Sequence, residues 1–424
     1  MLSFPSAAAR VRLALTRSAN HTSAARVPVD GSRLLLPSLV ALAALLSVAS
    51  LAGAQDNRTS PDSTALVTRL GKDTLAVEHI VRTRNIIEAD VLLRTPRTTR
   101  TRYRMELTND GHAQRWASTE VDPRTGAPTG ASEVVTRSGD SLHIETNGPS
   151  GIRSRMVAAD AATLPFIDMV HWPFEPALER LRGSGRDSIV QPLLTGARTS
   201  DFRIGAVGGD SATITHPFRG TMRVRTDGVG RLIGLDAGAT TRALIVERRP
   251  WLALDALASR WQGEDDAGSS FGALSGRGET VATVGGAQLE VDYGTPVRRG
   301  RAIWGALVPW GELWRTGANL ATHFTTDRAL LLGQGADTLA LPAGRYTLFS
   351  IPAPDGGTLI VNRQTGQNGN SYDATQDLGR VKATFRPLTQ SVELFTIAVE
   401  GTGNSGLLRV QWADGEMVVP FRVR

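Results

Sequence analysis

Three tryptophans, an arginine and an asparagine stand close together in the last third of the sequence and carry its clearest binding chemistry. Trp304, Trp310 and Trp314 are followed by Arg315 and Asn319. Indole faces stack on sugar rings or guanidinium groups, while Arg and Asn supply hydrogen-bond donors in fixed geometry. A glycan or a carboxylate-bearing ligand would use such a set, which makes four of these residues binding candidates: Trp310, Trp314, Arg315 and Asn319. In the alternative interpretation the tryptophans fill a core, the arginine pairs with a buried carboxylate, and the asparagine serves a tight turn.

Two further candidates, Tyr372 and Asp373, lie in the Gly- and Asn-rich stretch 364–377. Binding groups often sit in loops that a rigid sheet holds in place. A solvated loop with Asx-turns explains the same residues equally well. An acid/base pair assembled by folding from residues such as Asp373 and His323 is the basis of a hydrolase alternative. We assign no catalytic residue from the sequence.

Other catalytic and cofactor chemistries lack a signature. The sequence has no Cys, which excludes disulfides, thiolate metal sites, thiol nucleophiles and a lipid-modified cysteine. The histidines are isolated and S-x-x-K is absent, and the G-x-S-x-G match at 268–272 lies in a Gly- and Ser-rich stretch with a linker composition. The glycine pattern at 401–406 lies between strand-like runs, without the helix that a phosphate site needs, so we interpret it as a hairpin. We therefore predict no metal and no cofactor.

The N-terminus has the features of a secretory signal peptide. Arg33 precedes an apolar run at 34–51, and Ala52-Gly53-Ala54 follows it. A basic flank, an apolar stretch and a small-x-small site together predict cleavage after Ala54. An uncleaved membrane anchor is the alternative, because a run of this length just spans a bilayer. We expect the mature protein to be periplasmic or extracellular and to have no membrane span.

Removing residues 1–54, of which 1–32 form an unusually long leader, changes the interpretation of the charge. The 424-residue chain has 47 Lys+Arg against 41 Asp+Glu, a net charge of +6. The leader and signal hold five Arg and one Asp, so the remaining chain carries about +2. Its arginines alternate with acids and form no long run, so we predict no nucleic-acid binding. We expect residues 55–63 to be a flexible start.

Residues 64–249 show the period-two alternation of an antiparallel sheet with one buried face. Tyr103, Met105 and Leu107 alternate with charged residues, and turn dipeptides separate such segments. Apolar residues at helical spacing, broken by prolines, predict a short helical pair at 163–182. We expect a meander sheet with this pair on its apolar face. That shape resembles the curved half-barrel of periplasmic lipoprotein carriers, whose concave face holds acyl chains.

The rest of the chain is predicted to be a connector and a second β domain. Pro250 to Gln262 has helical spacing with proline at the first position, and the Gly-, Ser- and acid-rich residues that follow have a linker composition. The connecting helix and linker together span 250–278. About seven short strand-like runs in 279–424 indicate a β-sandwich or jelly-roll-like domain.

The C-terminal segment contains three specific sequence blocks. The first comprises GRAIWG (300–305), LVPWG (307–311) and LWRTGANLAT (313–322); the second is LPAGRYTLFSIP (341–352); the third is SYD (371–373) with Asp377, Arg380 and Val381. These blocks resemble the domain of unknown function 2911 family over about residues 270–424. The resemblance implies an exported bacterial β-rich domain of unestablished activity. Leu320 stands where the family usually has an acidic residue, so a mechanism that needs a carboxylate there does not carry over.

These observations predict an exported, mainly β, two-domain protein. The favoured function is non-enzymatic binding of a glycan or lipid. The alternatives are a hydrolase that acts on an envelope or extracellular substrate, and a structural or partner-binding module. The sequence predicts no oligomeric state.

Overall fold

The structure is a computed structural model that describes residues 10–13 and 62–424. Apart from positions 10–13 and 62–63, the predicted signal peptide with its leader (1–54) and the predicted flexible start (55–63) lie outside the described residues. The first strand, β1, spans Arg10–Leu13 and pairs with a strand of the C-terminal domain. The described chain is mainly β, which confirms the predicted fold class.

The N-terminal domain comprises fifteen strands, a 3-10 helix and one α-helix. The strands are β2 (Asp62–Leu70), β3 (Asp73–Arg82), β4 (Ile86–Leu93), β5 (Thr99–Leu107), β6 (Ala113–Val121), β7 (Pro128–Ser138), β8 (Ser141–Gly148), β9 (Gly151–Ala158), β10 (Leu164–Pro165), β11 (Ser188–Thr195), β12 (Arg198–Gly208), β13 (Ser211–His216), β14 (Gly220–Thr226), β15 (Leu232–Asp236) and β16 (Leu244–Arg249). The 3-10 helix is Trp172–Phe174, and α1 is Glu175–Ser184.

All fifteen strands belong to one sheet, in the order β10 to β16 followed by β2 to β9. Neighbouring strands are antiparallel except β10 and β11, which are parallel. The two halves join where β16 pairs with β2. Alternation decides which face is buried: in β8, Leu142 and Ile144 are buried, whereas Glu145 is exposed.

Helix α1 packs on the apolar face of this sheet. Leu178 and Leu181 join the main core, as does Trp172 of the preceding 3-10 helix. The predicted helical pair at 163–182 is thus one α-helix and a 3-10 turn, while Leu164–Pro165 forms β10 instead. Pro165 lacks an amide donor, so it suits the sheet edge on which β10 lies better than a helix interior.

Helix α2, Leu254–Asp266, packs on the opposite, outer face of the sheet. Its Leu254, Ala258 and Trp261 contact Val77 and Leu92 of β3 and β4. The helix begins four positions after Pro250, the predicted start, and continues into the predicted linker. The acidic run at its end is fixed by the first domain, because the buried Asp265 carboxylate accepts a hydrogen bond from the Thr98 amide at 2.7 Å.

The C-terminal domain contains two antiparallel sheets packed around a single core. Its elements are β17 (Ser275–Val284), β18 (Ala287–Pro296), β19 (Thr322–Thr326), β20 (Leu330–Gln334), β21 (Asp337–Leu341), β22 (Gly344–Ala353), β23 (Gly356–Asn362), the 3-10 turn Ala374–Gln376, β24 (Asp377–Lys382), β25 (Thr384–Thr402) and β26 (Ser405–Val423). One sheet has the order β1-β17-β18-β19-β22-β23-β24, and the other β21-β20-β26-β25. Across the part of the chain that the structure describes, no helix is long and apolar enough to cross a membrane.

The two domains contact each other where the β2–β3 turn meets residues 298–301. The Lys72 amide donates to the Arg299 carbonyl at 3.2 Å. The Arg299 guanidinium lies 3.5 Å from the centre of the Phe271 ring. Arg301 donates from Nη1 to the Arg242 carbonyl of the N-terminal domain at 3.3 Å. The two domains are therefore joined here by hydrogen bonds to backbone carbonyls and by a cation–π contact of an arginine.

Candidate functional site

Residues 311–321, here named the signature loop, form the last part of the connection from β18 to β19 and are anchored on β22. The Trp314 amide donates to the Ser350 carbonyl at 2.7 Å, and the Ser350 amide donates back at 2.9 Å. The hydroxyls of Thr316 and Ser350 are hydrogen-bonded at 2.8 Å. The Thr322 hydroxyl donates to the Thr316 carbonyl at 2.7 Å. The loop is therefore held by buried hydrogen bonds along its length.

The centre of the loop lies against the backbone of β18. A Cβ atom added to Gly294 would lie 2.7 Å from the Ala318 carbonyl carbon and closer still to its oxygen. Gly317 has a φ of +148°, which favours glycine, while Thr316 and Asn319 have φ values of +49° and +64°. A positive φ is rare for a β-branched residue, and such conformations persist only where the surroundings fix them. The R-T-G-A-N stretch thus encodes one specific loop conformation.

The tryptophans of the first block form an aromatic cluster at one end of the sandwich core. Trp304 stacks on Trp310 at 6.0 Å and meets Trp314 edge-on at 5.6 Å between ring centres. Trp314 also stacks on Trp412 at 6.4 Å. The Trp304 indole N–H donates to the Trp412 carbonyl at 2.8 Å. Trp310 and Trp314 are half-buried, and much of their ring surface contacts other rings of the protein.

Arg315 and Asn319 are brought together with the loop 364–377. The half-buried Arg315 guanidinium donates to the Asn370 side-chain oxygen at 3.0 Å. The Gly369 amide donates to the carbonyl of Asn319 at 2.8 Å, and the Asn319 side chain is exposed. Burial lowers the pKa of Arg315, and repulsion from the positive charge of Arg242 lowers it further. Within residues 62–424, no Asp or Glu forms an ion pair with Arg315.

Tyr372 is held by charged neighbours. Its hydroxyl donates to the Asp377 carboxylate at 2.7 Å and accepts from Arg380 at 2.9 Å. Its ring packs edge-on against Phe349 at 4.8 Å between centres. Burial and the hydrogen bond to Asp377 raise the pKa of Tyr372 above its ordinary value. The side chain therefore fixes the end of loop 364–377 against the sheet.

Asp373 and His323 are each engaged locally and are not joined to one another. The exposed Asp373 carboxylate accepts from the Thr375 amide at 2.9 Å and from its hydroxyl at 2.6 Å, which is an Asx-turn. The His323 Nε2 atom accepts from the Gly366 amide at 2.9 Å. No hydrogen bond or ion pair in the described part of the chain links the two, so Asp373 and His323 are not in direct contact as an acid/base pair. The described residues also contain no cluster of His, Asp and Glu suited to a metal ion.

The family match covers the sandwich that carries this loop. Residues 275–421 match the family described as "Protein of unknown function (DUF2911)". The C-terminal domain resembles DUF2911. The matched region begins at the first residue of β17 and ends within β26, so the DUF2911-like domain contains both the signature loop and loop 364–377. No curated protein matches the chain.

A second candidate site lies on the outer face of the N-terminal sheet, where the sequence shows no motif. An open groove of about 440 Å³ runs across β3, β4, β5 and β6, beside α2. Polar side chains of these strands line its floor, and Trp251 forms one side. Two sequence signals were available: charged residues alternating along consecutive strands, and a tryptophan two positions after the end of a strand. Neither signal shows which residues are neighbours across the sheet.

Proposed function

We propose that this is an exported, non-enzymatic protein that binds a carboxylate-bearing sugar at the signature loop of its DUF2911-like domain. Arg315 is the observation that carries the proposal. Its guanidinium is half-buried, donates one hydrogen bond to a neutral amide oxygen, and has no acidic partner among residues 62–424. A guanidinium binds a carboxylate through two parallel N–H···O bonds, and partial burial strengthens such a pair.

The surroundings of Arg315 supply polar groups that suit a sugar acid. Arg242 of the N-terminal domain lowers the pKa of Arg315, but its own charge is paired with Asp168 at 2.7 Å, so Arg315 is the cation that would bind the carboxylate. The exposed Asn319 side chain and Asn370 supply neutral donors and acceptors, which suit sugar hydroxyls. The conformation of the signature loop is fixed by the contacts of Thr316 and Gly317, so little conformational entropy is lost when a ligand binds.

A sugar is favoured over a lipid because protein side chains fill the apolar face of the N-terminal sheet. Trp172, Leu178 and Leu181 are between 1% and 4% exposed and belong to the same core as the strands. A lipid carrier needs an open apolar cavity at that position. The exposed polar groups around Arg315 instead match a hydroxylated ligand.

The test is binding of uronic-acid oligosaccharides and their neutral counterparts, measured by titration calorimetry on the full mature chain. We expect the acidic sugars to bind more tightly, and Arg315→Gln to weaken their binding by about 10- to 100-fold, since a hydrogen bond to a charged group contributes roughly 1.5–3 kcal/mol. Arg422→Gln is the matched control, because Arg422 is exposed on β26 of the same domain. Equal losses in the two variants, or equal binding of acidic and neutral sugars, would contradict the proposal. Arg315→Lys, which keeps the charge but not the planar fork, should retain part of the affinity.

Export rests on the order of basic flank, apolar run and small-x-small site before Gln55. N-terminal sequencing of the protein from an exporting host is expected to begin at Gln55. Recovery of the 34–51 segment in membrane-bound protein would support the anchor alternative instead. A cut after Ala54 also removes β1, so the edge of β17 that β1 covers would be unpaired in the mature protein.

A further inference from the structure

The groove on the outer face of the N-terminal sheet is built from two rows of side chains that cross four strands. In the first row the register places His79 beside Asp90, Asp90 beside Arg102, and Arg102 beside Thr119. The second row contains Val81, Glu88, Arg104 and Ala117 in the same way. All eight residues line the groove. Because strands in one sheet hold their side chains at fixed spacing, this floor is rigid.

The charges of the floor neutralise each other. The Asp90 carboxylate accepts from Arg100 at 2.9 Å and from Arg102 at 3.4 Å. The Glu88 carboxylate accepts from Arg104 at 2.6 Å. The side chains of Glu88, Arg102 and Arg104 are still about half exposed, at 52%, 50% and 44%. They can therefore make further hydrogen bonds, but the floor has no excess charge that would select an ion.

Trp251 and His79 form the aromatic side of the groove. The Trp251 ring lies over His79, with 3.8 Å between ring centres, and Trp251 remains 52% exposed. His79 is 4% exposed, and its Nε2 atom has no hydrogen-bond partner within the described structure. Burial lowers the pKa of His79, so the ring is neutral near pH 7. The exposed indole face therefore offers apolar contact to a ligand in the groove, while the buried His79 ring supports the indole from below.

We infer that this groove is a second ligand site, which binds a neutral sugar by stacking it on Trp251 and by hydrogen bonds from its hydroxyls to the paired charges of β4 and β5. A sugar ring offers an apolar face of C–H groups to an indole and an edge of hydroxyls to carboxylates and guanidinium groups. The groove supplies both, in a volume that holds a short oligosaccharide segment. This site lies on the other domain from the signature loop and does not depend on Arg315.

The experiment titrates the full mature chain with neutral cello-, chito-, malto- and xylo-oligosaccharides, followed by saturation-transfer NMR and calorimetry. At least one series is expected to bind with a Kd of about 1 mM or tighter. Trp251→Ala should weaken that binding by about tenfold or more, because aromatic anchors dominate such contacts. Trp251→Leu keeps an apolar cover over His79 but has no ring face, so it should lose affinity as well, whereas Trp251→Phe should retain most of it. Phe218→Ala is the matched control, since Phe218 is 65% exposed on the same domain.

The result separates this inference from the proposal for the signature loop. Binding of the neutral sugar should be unchanged in Arg315→Gln and nearly insensitive to salt, while acidic-sugar binding should be lost in that variant only. Absence of binding by every neutral series, or equal binding by wild type and a folded Trp251→Ala variant, would overturn the inference. Thermal melting of each variant shows whether it is folded.

Discussion

The packing of the signature loop on β18 predicts that Gly294→Ala destabilises the DUF2911-like domain and displaces Arg315. The new Cβ would lie 2.7 Å from the carbonyl carbon and 3.0 Å from the nitrogen of Ala318, with the carbonyl oxygen nearer still. All of these atoms belong to the backbone, so rotation of a side chain does not relieve the overlap. Gly294 is paired in β18 with Arg277 of β17, so the loop has to move rather than the strand.

The magnitude follows from the bonds that anchor the loop. Moving it away from β18 weakens the Thr316–Ser350 hydroxyl bond at 2.8 Å and the Trp314–Ser350 backbone bonds at 2.7 and 2.9 Å. Each hydrogen bond contributes roughly 1 kcal/mol net, and a buried group left unpaired costs more. We expect the free energy of unfolding of the domain to fall by about 2–4 kcal/mol.

Urea unfolding followed by tryptophan fluorescence measures this change, because Trp304, Trp310 and Trp314 lie beside the loop. The matched control is Gly148→Ala, at a strand glycine whose added Cβ meets no atom within 4 Å. The near-UV circular dichroism of Gly294→Ala should also change, and acidic-sugar binding should weaken. A Gly294→Ala protein as stable as the control, with an unchanged aromatic spectrum, would refute the argument that close packing fixes the loop.

Two other features lead to measurable expectations. Gly71→Ala would place a Cβ 3.0 Å from the Arg299 carbonyl carbon and nearer to its oxygen, so it should loosen the domain contact and speed limited proteolysis between the domains. Gly139→Ala is the control, because its φ is similar, +57° against +60°, but its added Cβ meets no atom within 4 Å. The control should show only the backbone strain of about 1–2 kcal/mol. Burial and the nearby Arg219 lower the pKa of His216 to about 4, so the folded protein resists protonation while the unfolded chain takes it up near pH 6.5. The contribution of His216 to the free energy of unfolding should therefore be constant above pH 6.5 and fall between pH 6.5 and 4, and a His216→Gln variant should show a shallower slope in acid unfolding than wild type.

The architecture could be predicted from the sequence wherever it depends on local pattern. Alternation in segments such as 102–107 predicts strands with one buried face, and the structure places those segments in a meander. Alternation says nothing about pairing between distant strands, so the junction of β16 with β2 was not predicted. The end of α2 shows the same limit. Its acidic residues resemble a solvated linker, but Asp265 is buried against Thr98, and that partner lies far away in the sequence.

The candidate residues of the signature loop could be found from their types, because R-T-G-A-N is a contiguous stretch that the fold keeps together. The environment of each residue could not be found in this way. The ring faces of the tryptophans are partly covered by one another and by Trp412, which belongs to β26. Arg315 donates a hydrogen bond to Asn370, which lies in another loop. The proposed binding therefore depends more on the arginine than on the indoles that flank it in sequence.

The outer groove shows why a segment without a motif can still contain a site. His79, Asp90, Arg102 and Thr119 are separated by eleven to seventeen residues, and no spacing rule connects them. They form a continuous row only because three successive hairpins set the register that places them side by side. Moving any one of those hairpins by one residue would turn its side chains to the opposite face and break the row. A search for motifs detects sites whose residues are close in sequence, whereas the residues of this groove come from neighbouring strands. The absence of catalytic or binding motifs from the N-terminal domain is therefore not a reason to regard that domain as a scaffold alone.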